Sequence, residues 1–247
     1  YIENICPHKT RILFTGSQQI GVAKVKPHSG NYMVWGNRQD GSDTTLTKHF
    51  DLTSVSKATL KYWTWWTLEE NYDYAYLLIS TDNGKTWEII KTPSGTNMNL
   101  SGNNLDWGYN HNSGGDQQPV WIQESIDISN YAGKNILIRF EYITDAAINN
   151  PGIMIDDISI EEIGYEENFE INNNDWEYNG WIRFNNILPQ TWLIQVVNKY
   201  NNSIQDVSVT NGMAEFEVSP KSTIIISATT PYTTEVAYYE LKTYNEN

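Results

Sequence analysis

Hydrophobic and polar residues alternate over many short stretches of the chain. From Ile136 to Tyr142, every second residue is Ile, Phe or Tyr, with Leu137, Arg139 and Glu141 between them. Successive side chains of a strand point to opposite faces, so this pattern predicts a strand with one apolar face. Similar short patterns predict strands at 11–14, 20–25, 32–35, 43–50, 120–128 and 153–160.

The stretch 60–87 carries the strongest strand signal. Residues 60–68 and 72–80 are rich in aromatic and β-branched residues, which favour strands. The octet from Ser80 to Trp87 then fits S-x-D-x-G-x-x-W, the Asp box. An Asp that accepts turn amides and a Gly at positive φ suit a β-hairpin turn. Sialidase-like propellers repeat this box in each blade, and its single copy here favours a structural role.

Strand spacing divides the chain into two predicted domains. Many short strands across 1–163 indicate a jelly-roll β-sandwich. An acidic, Asn-rich connector follows Gly164, and 164–247 is predicted to be a smaller immunoglobulin-like or fibronectin-III-like sandwich. Asn211-Gly212 marks a hairpin turn within it. Its strand candidates are 181–185, 191–198, 203–210, 213–218, 222–229 and 235–243.

The segment 92–119 has no strand pattern and is rich in Asn and Gly. Loops of this length are usually functional or disordered. Trp107, Tyr109 and His111 lie inside it, which argues against simple disorder.

Composition supports the all-β class and limits the partners. The 247 residues include 10 Trp and 16 Tyr, and the formal net charge is −14. Without clustered Lys and Arg, nucleic acid is not an expected partner. No apolar run reaches 18 residues, so we expect no membrane insertion. Cys6 is the single cysteine, which excludes an intrachain disulfide and fits both cytosol and secretion. The chain starts at Tyr1, and we interpret it as a piece of a longer protein.

No catalytic motif is present in the sequence. HExxH, GxSxG, a phosphate-binding glycine loop and a CxxC pair are all missing. His8, His28, His49 and His111 are scattered without metal-ligand spacing. We therefore predict that this fragment is not an enzyme.

Carboxylates that interrupt apolar strands are the main candidates for a metal site. Asp73 shares a predicted core face with Ala75, Leu77 and Ile79, and a buried charge needs a cation or several donors. Asp156 and Asp157 interrupt another apolar strand, and only one of the two can point inward. Clustered oxygen ligands fit Ca²⁺. The predicted ligands are Asp43, Glu69, Asp73, Asp156 and Asp157, with Asp145 at a strand edge that could converge with them. The alternative is pairing of these carboxylates with Arg139 or loop amides.

Aromatic residues form the second candidate site. On strand 60–68, Tyr62, Trp66 and Leu68 share one face, whereas Trp63 and Trp65 share the other. If the first set is core, the second is an exposed pair that stacks on sugars or anchors a protein. Trp107 in the long loop is a third candidate. The alternative is that this loop or the second domain covers the pair.

An ordered set of segments resembles a known family. The set comprises 27–30, 42–46, 50–52, 69–76, the Asp box, 126–134, 139–140, 144–145 and 156–158. It is similar to the non-catalytic β-sandwich region of secreted bacterial immune inhibitor A-like metallopeptidases, itself similar to MAM-type and adhesin-type jelly rolls. In that family the zinc-binding HExxH lies in a separate upstream domain, so its activity does not carry over to this fragment.

The resemblance implies an extracellular, calcium-stabilised accessory module of a zinc metallopeptidase-like protein. Its expected partner is the peptidase domain of the same chain, with a protein or glycan ligand also possible. One alternative is a carbohydrate-binding module that works through Trp63 and Trp65. A second is a cell-surface adhesin domain, and a third, a free-standing hydrolase, lacks a catalytic pair.

Overall fold

The computed structural model describes residues 2–3, 9–173 and 175–245, and within them the fold is almost entirely antiparallel β-sheet. This confirms the predicted all-β class. Two 3-10 helices, Ser129–Tyr131 and Glu161–Ile163, interrupt the strands. No helix among the described residues has the length and apolarity needed to cross a bilayer. Cys6 and His8, considered above, lie outside the described residues.

The strands are numbered in chain order. They are β1 Ile2–Glu3, β2 Thr10–Gly16, β3 Gln19–Ile20, β4 Met33–Trp35, β5 Asp43–Asp51, β6 Thr59–Thr67, β7 Tyr74–Ser80, β8 Glu88–Ile89, β9 Ile122–Asp127, β10 Asn135–Ile143, β11 Gly152–Ile160, β12 Tyr165–Glu167, β13 Glu177–Asn179, β14 Ile182–Phe184, β15 Leu188–Pro189, β16 Trp192–Asn198, β17 Ser203–Val207, β18 Met213–Val218, β19 Ser222–Ala228 and β20 Tyr239–Asn245.

The chain forms two compact units. One spans Lys26–Asn185, and the other joins the residues up to Val25 with those from Asn186 onward. These bounds differ from the predicted division at Gly164. The connector is part of the first unit, because β12, β13 and β14 add to its sheets and Trp176 and Trp181 enter its core. Strand β2 belongs to the other unit, since its partners are β18 and β20.

The larger unit is a jelly-roll β-sandwich. The five-stranded sheet has the order β13-β5-β10-β7-β8. The six-stranded sheet has the order β14-β4-β11-β6-β9, with β12 also paired to β11. From β4 to β11 the chain changes sheet after almost every strand, and only β7 and β8 are consecutive neighbours in one sheet. The apolar residues of both sheets form one core, which includes Tyr62, Trp66, Leu77, Ile138 and Phe140. The predicted apolar faces of β6, β7 and β10 are therefore the core faces.

The smaller unit also packs two sheets around one core. Their orders are β1-β19-β16-β17 and β18-β2-β20, and their shared core includes Phe14, Ile194, Phe216 and Ile224. Asn211 and Gly212 form the predicted turn with positive φ values. The two strands beside it, β17 and β18, nevertheless lie in different sheets. The immunoglobulin-like name for this unit stays a prediction.

The Asp box closes the β7–β8 hairpin through its side chains. The Asp82 carboxylate accepts bonds from the Thr86 amide at 2.9 Å and the Thr86 hydroxyl at 2.6 Å. These bonds lower the pKa of Asp82 to about 2, with the hydroxyl as the largest cause. Gly84 has φ +83° and donates its amide to Ser80 Oγ. In this chain the Asp box therefore stabilises the turn of the β7–β8 hairpin.

The long segment 92–119 is ordered against the sandwich. It bridges to β7 at Ala75↔Tyr109, to β6 at Thr67↔Asn112 and to itself at Thr96↔Gly108. Tyr109 is 1% exposed and belongs to the core of the larger unit. Burial of this ring anchors the loop to the sandwich despite its Asn and Gly content.

Candidate functional site

Three carboxylates converge at one end of the five-stranded sheet. Oxygen atoms of Glu69, Asp73 and Asp145 all lie within 4.8 Å of one another. Asp73 directly precedes β7 and Asp145 follows β10. These strands are antiparallel neighbours with Tyr74 opposite Ile143, which brings the two aspartates to the same edge. Asp73 is fully buried, as its place on the apolar face of β7 predicts.

The turn 69–73 is held by the long loop. Asn110 donates its side-chain amide to the carbonyls of Glu69 at 3.1 Å and Asp73 at 2.8 Å. Its Oδ1 accepts the amide of Asn71, which has φ +67°. Asn110 is therefore a positioning residue that the sequence pattern does not reveal.

The hydrogen bonds of the cluster satisfy its carboxylates only in part. Asp73 Oδ1 accepts the Asp145 amide at 3.0 Å, and Asp73 Oδ2 accepts the Tyr142 hydroxyl at 3.4 Å. Glu69 Oε2 is buried and has no hydrogen-bond partner in the described part of the chain. A buried acceptor without a donor is costly, and a bound cation would satisfy it.

The electrostatics of the cluster also favour a cation. Burial raises the pKa of Asp73 to about 6; the Asp145 amide opposes this shift, and the charge of Glu69 adds to it. Burial also raises the pKa of Glu69, and the charges of Asp145 and Asp40 contribute. Three acidic groups that repel one another at this spacing suit a hard divalent cation with oxygen ligands. The residues therefore fit Ca²⁺, with the remaining ligands to come from water or backbone oxygens.

The other predicted metal ligands lie outside this group. Asp43 is exposed at the start of β5. Asp156 is fully buried and accepts the amides of Ser29 at 3.2 Å and Asp157 at 2.9 Å. Burial raises the pKa of Asp156 to about 7, which the Ser29 amide opposes. Two backbone amides thus satisfy Asp156, one from the loop residue Ser29 and one from Asp157 on β11. Loop amides were part of the alternative considered from sequence; Arg139 instead contacts Thr47, Glu141 and Trp87.

Asp157 holds a histidine over a tryptophan. Its Oδ2 lies 2.6 Å from His28 Nδ1, and its Oδ1 accepts the Ser29 hydroxyl at 2.7 Å. The His28 ring stacks on Trp63 with centroids 3.8 Å apart and planes inclined by 15°. The serine hydroxyl binds the aspartate and not the histidine, so the three residues do not form a nucleophilic triad. Sequence gave no signal for this pairing across 129 positions.

The predicted aromatic binding residues have different environments. Trp63 is partly exposed, whereas Trp65 is 4% exposed and so offers no surface for a ligand. The two indoles therefore do not form an exposed pair. Trp107 is partly exposed, and the ammonium group of Lys91 lies 4.0 Å from its ring centroid.

Comparison with known proteins places this fold in a family. The sequence profile described as "Immune inhibitor A-like, MAM domain" matches residues 9–185. The chain is 29% identical over 143 residues to the pre-pro-metalloprotease PrtV of Vibrio cholerae serotype O1, covering 58% of this chain and 14% of PrtV. It is 28% identical over 142 residues to immune inhibitor A of Bacillus thuringiensis subsp. alesti, covering 56% and 18%.

A third relative is bacillopeptidase F of Bacillus subtilis, 26% identical over 103 residues, covering 42% of this chain and 6% of the relative. The chain therefore spans less than a fifth of each of these relatives. The match falls on a non-catalytic region of the metalloprotease relatives. Since the profile covers more than half of the sequence, this chain belongs to the immune inhibitor A-like MAM domain family.

Proposed function

We propose that this chain is a non-catalytic accessory module of a secreted bacterial zinc metallopeptidase-like protein. The match of residues 9–185 to the immune inhibitor A-like MAM domain carries the proposal. Two relatives support it by name, a pre-pro-metalloprotease and an immune inhibitor A. In this role the module packs on or extends from the peptidase domain of the same polypeptide and helps to present substrate.

The parent gene gives the direct test. The coding sequence upstream of Tyr1 should contain a helix with HExxH, the zinc-binding motif of such peptidases. The parent protein should hydrolyse a protein substrate such as casein, and this chain alone should not. An upstream region made only of β-sandwich modules would contradict the proposal and favour the adhesin alternative.

The proposal includes a stabilising calcium ion held by Glu69, Asp73 and Asp145. Support comes from the unpartnered Oε2 of Glu69 and from three carboxylates gathered within 4.8 Å. Extracellular modules bind Ca²⁺ with dissociation constants of about 10⁻⁴–10⁻³ M, a range that suits a partly exposed site with three carboxylates. The site would then be loaded outside the cell, where we place this module.

Thermal melting tests the calcium ion directly. A ligand bound only by the folded state stabilises it by about 2.7 kcal/mol at 100 times its dissociation constant. For a protein of this size, that corresponds to a rise in Tm of roughly 5–10 °C. We expect this rise in excess CaCl₂ over EDTA, with a smaller rise in MgCl₂ because Mg²⁺ demands stricter octahedral geometry. Identical melting curves in EDTA and CaCl₂ would show that no stabilising ion binds.

A further inference from the structure

A strained β-bulge lies beside Trp63 on the six-stranded sheet. The pairing of β11 with β6 shifts register between Asp156 and Ser159. Within this bulge Asp157 has φ +47°, a left-handed conformation that is uncommon for residues other than glycine. Bulges re-aim side chains and occur often beside functional sites, where backbone strain also concentrates. The metal cluster does not involve this bulge.

The bulge fixes the position of an indole. Asp157 binds His28 and Ser29, and His28 covers part of the Trp63 ring. Trp121 also contacts His28 edge-on, with centroids 5.9 Å apart. The part of the Trp63 indole that His28 leaves open lines a groove of about 520 Å³. This volume lies within the range of about 300–1,000 Å³ typical of small-molecule sites.

Three uncharged polar side chains line the groove, together with three carboxylates. Gln123 lies opposite Trp63 and Ser159 lies opposite Glu166 in the strand registers, so the members of each pair share a face of the sheet. The side chains of Gln123, Ser159 and Glu166 have no hydrogen-bond partner among the described residues and line the groove. Asn168 also lines it and accepts the Glu170 amide through Oδ1, which leaves its NH₂ group as a donor.

Two of the three carboxylates that line the groove already have partners. Asp157 binds His28 and Ser29, while Glu167 accepts the Phe169 amide at 2.7 Å and the Asn173 side chain at 3.1 Å. Among these three, Glu166 alone has a carboxylate without a partner in the described part of the chain. A groove that binds cationic side chains would present more than one unpaired carboxylate. The negative charge of the lining repels anionic ligands.

We propose that this groove binds a neutral oligosaccharide. The indole of Trp63 packs against the C–H face of a sugar ring, as apolar aromatic surface does in wet binding sites. Gln123, Ser159, Glu166 and Asn168 pair with ring hydroxyls, because together they supply both donors and acceptors. This inference goes beyond the accessory role and is independent of the calcium ion.

Isothermal titration calorimetry tests the groove with four neutral probes: cellohexaose, laminarihexaose, mannohexaose and N-acetylchitohexaose. We expect at least one to bind the whole chain with a Kd of about 1 mM or tighter. Gln123→Ala and Glu166→Ala each remove one exposed partner and should weaken that binding by about 10-fold. Trp63→Ala should abolish it. Tyr200→Ala, which removes an exposed aromatic ring outside the groove, should leave the Kd unchanged.

Several outcomes would overturn the proposal. One is failure of all four probes to bind at millimolar concentration. A second is binding that Gln123→Ala and Glu166→Ala leave unaltered; both side chains are exposed, so this readout stands even if Trp63→Ala does not fold. A third is preference for hexa-arginine over the sugars, which would make the groove a site for basic polypeptides. Tighter binding of a heparin hexasaccharide would equally contradict it.

Discussion

Asp73 and Asp156 are both aspartates within apolar sequence patterns, yet their surroundings in the fold differ. Both are fully buried, and burial raises the pKa of each, to about 6 for Asp73 and about 7 for Asp156. Asp73 gains two further carboxylates as neighbours, Glu69 and Asp145. Asp156 gains the Ser29 amide and lies beside the pair formed by Asp157 and His28.

The difference shows that burial of a carboxylate does not by itself determine whether it binds a metal ion or accepts hydrogen bonds. Where other carboxylates lie close to it, a bound cation is the most effective way to offset the cost of burying their negative charges. Where backbone amides converge on it, hydrogen bonds compensate the buried charge and the residue becomes part of the structural scaffold. The two regions should therefore respond to different perturbations, metal in one case and pH or ring removal in the other.

The largest expected effect is that of Asp73→Asn, which should raise Tm in EDTA and abolish the rise in Tm with calcium. The amide side chain keeps an acceptor for the Asp145 amide while it removes one of three mutually repelling charges. We expect the variant to melt above wild type in EDTA and to lose the calcium-dependent rise of roughly 5–10 °C. Thermal melts of both proteins in EDTA and in excess CaCl₂ measure this.

Asp43→Asn is the matched control for that experiment, because Asp43 is an exposed aspartate outside the cluster. It should keep the full calcium response. If Asp73→Asn retains the calcium response, Asp73 is not a ligand. The proposed difference in metal binding between the regions of Asp73 and Asp156 would then be wrong.

The next largest effect is the pH dependence of stability that arises from Asp156. A carboxyl whose folded pKa is raised from about 3.9 to about 7 binds its proton more tightly when folded. Its stabilising contribution is fully present below about pH 4 and is lost as pH rises towards 7. Asp156→Asn should remove roughly 2 kcal/mol of this decline, after allowance for solvent screening.

Urea unfolding at pH 4 and pH 8 in EDTA measures that change. Asparagine loses one of the two backbone bonds that Asp156 accepts, at a cost that is the same at both pH values. The readout is therefore the difference between the two pH values for each protein. Asp43→Asn should follow wild type, and an Asp156→Asn protein that also follows wild type would contradict the raised pKa.

Much of the larger unit can be predicted from sequence, because its signals are local. Alternation identified the core faces of β6, β7 and β10, and the Asp box identified its hairpin. The predicted boundary at Gly164 differs from the bounds of the compact units, because it was based on the acidic, Asn-rich composition of the connector. Only tertiary pairing shows that β12 adds to β11 and that Trp176 enters the core.

For the candidate sites, the sequence predicted individual residues but not which residues come together. Periodicity placed Asp73 in the core and showed that one of Asp156 and Asp157 points inward. It could not show that Asp145, 72 residues after Asp73, donates its amide to that carboxylate. The sharing of one face by Trp63 and Trp65 followed from period 2, but the burial of Trp65 depends on contacts that alternation does not encode.

A smaller effect is expected when the ring beside Asp157 is removed. His28→Ala deletes the stack on Trp63 and the contact with Asp157, and we expect about 1 kcal/mol of lost stability. His28→Phe keeps the stack and should recover part of the loss. The calcium response of both variants should equal that of wild type, because the cluster at Asp73 does not involve His28.

Urea unfolding in the presence and absence of CaCl₂ separates these effects. His49→Ala serves as the control, since His49 is exposed on β5 and surface substitutions usually change stability by less than about 0.5 kcal/mol. A His28→Ala protein that loses its calcium response would show that the two regions act as one site.

The smallest effect tests whether pH dependence distinguishes a buried carboxylate from a partly exposed one. Bonds from Thr86 lower the pKa of Asp82 to about 2, so its contribution is present above about pH 4 and is lost as pH falls towards 2. This sign is opposite to that of Asp156. Thermal melts at pH 5 and pH 2.5 should therefore show a larger loss of Tm for wild type than for Asp82→Asn, and Asp116→Asn, which alters a fully exposed aspartate, should match wild type. Equal losses in Asp82→Asn and wild type would mean that the turn depends on its backbone and not on the charge of Asp82.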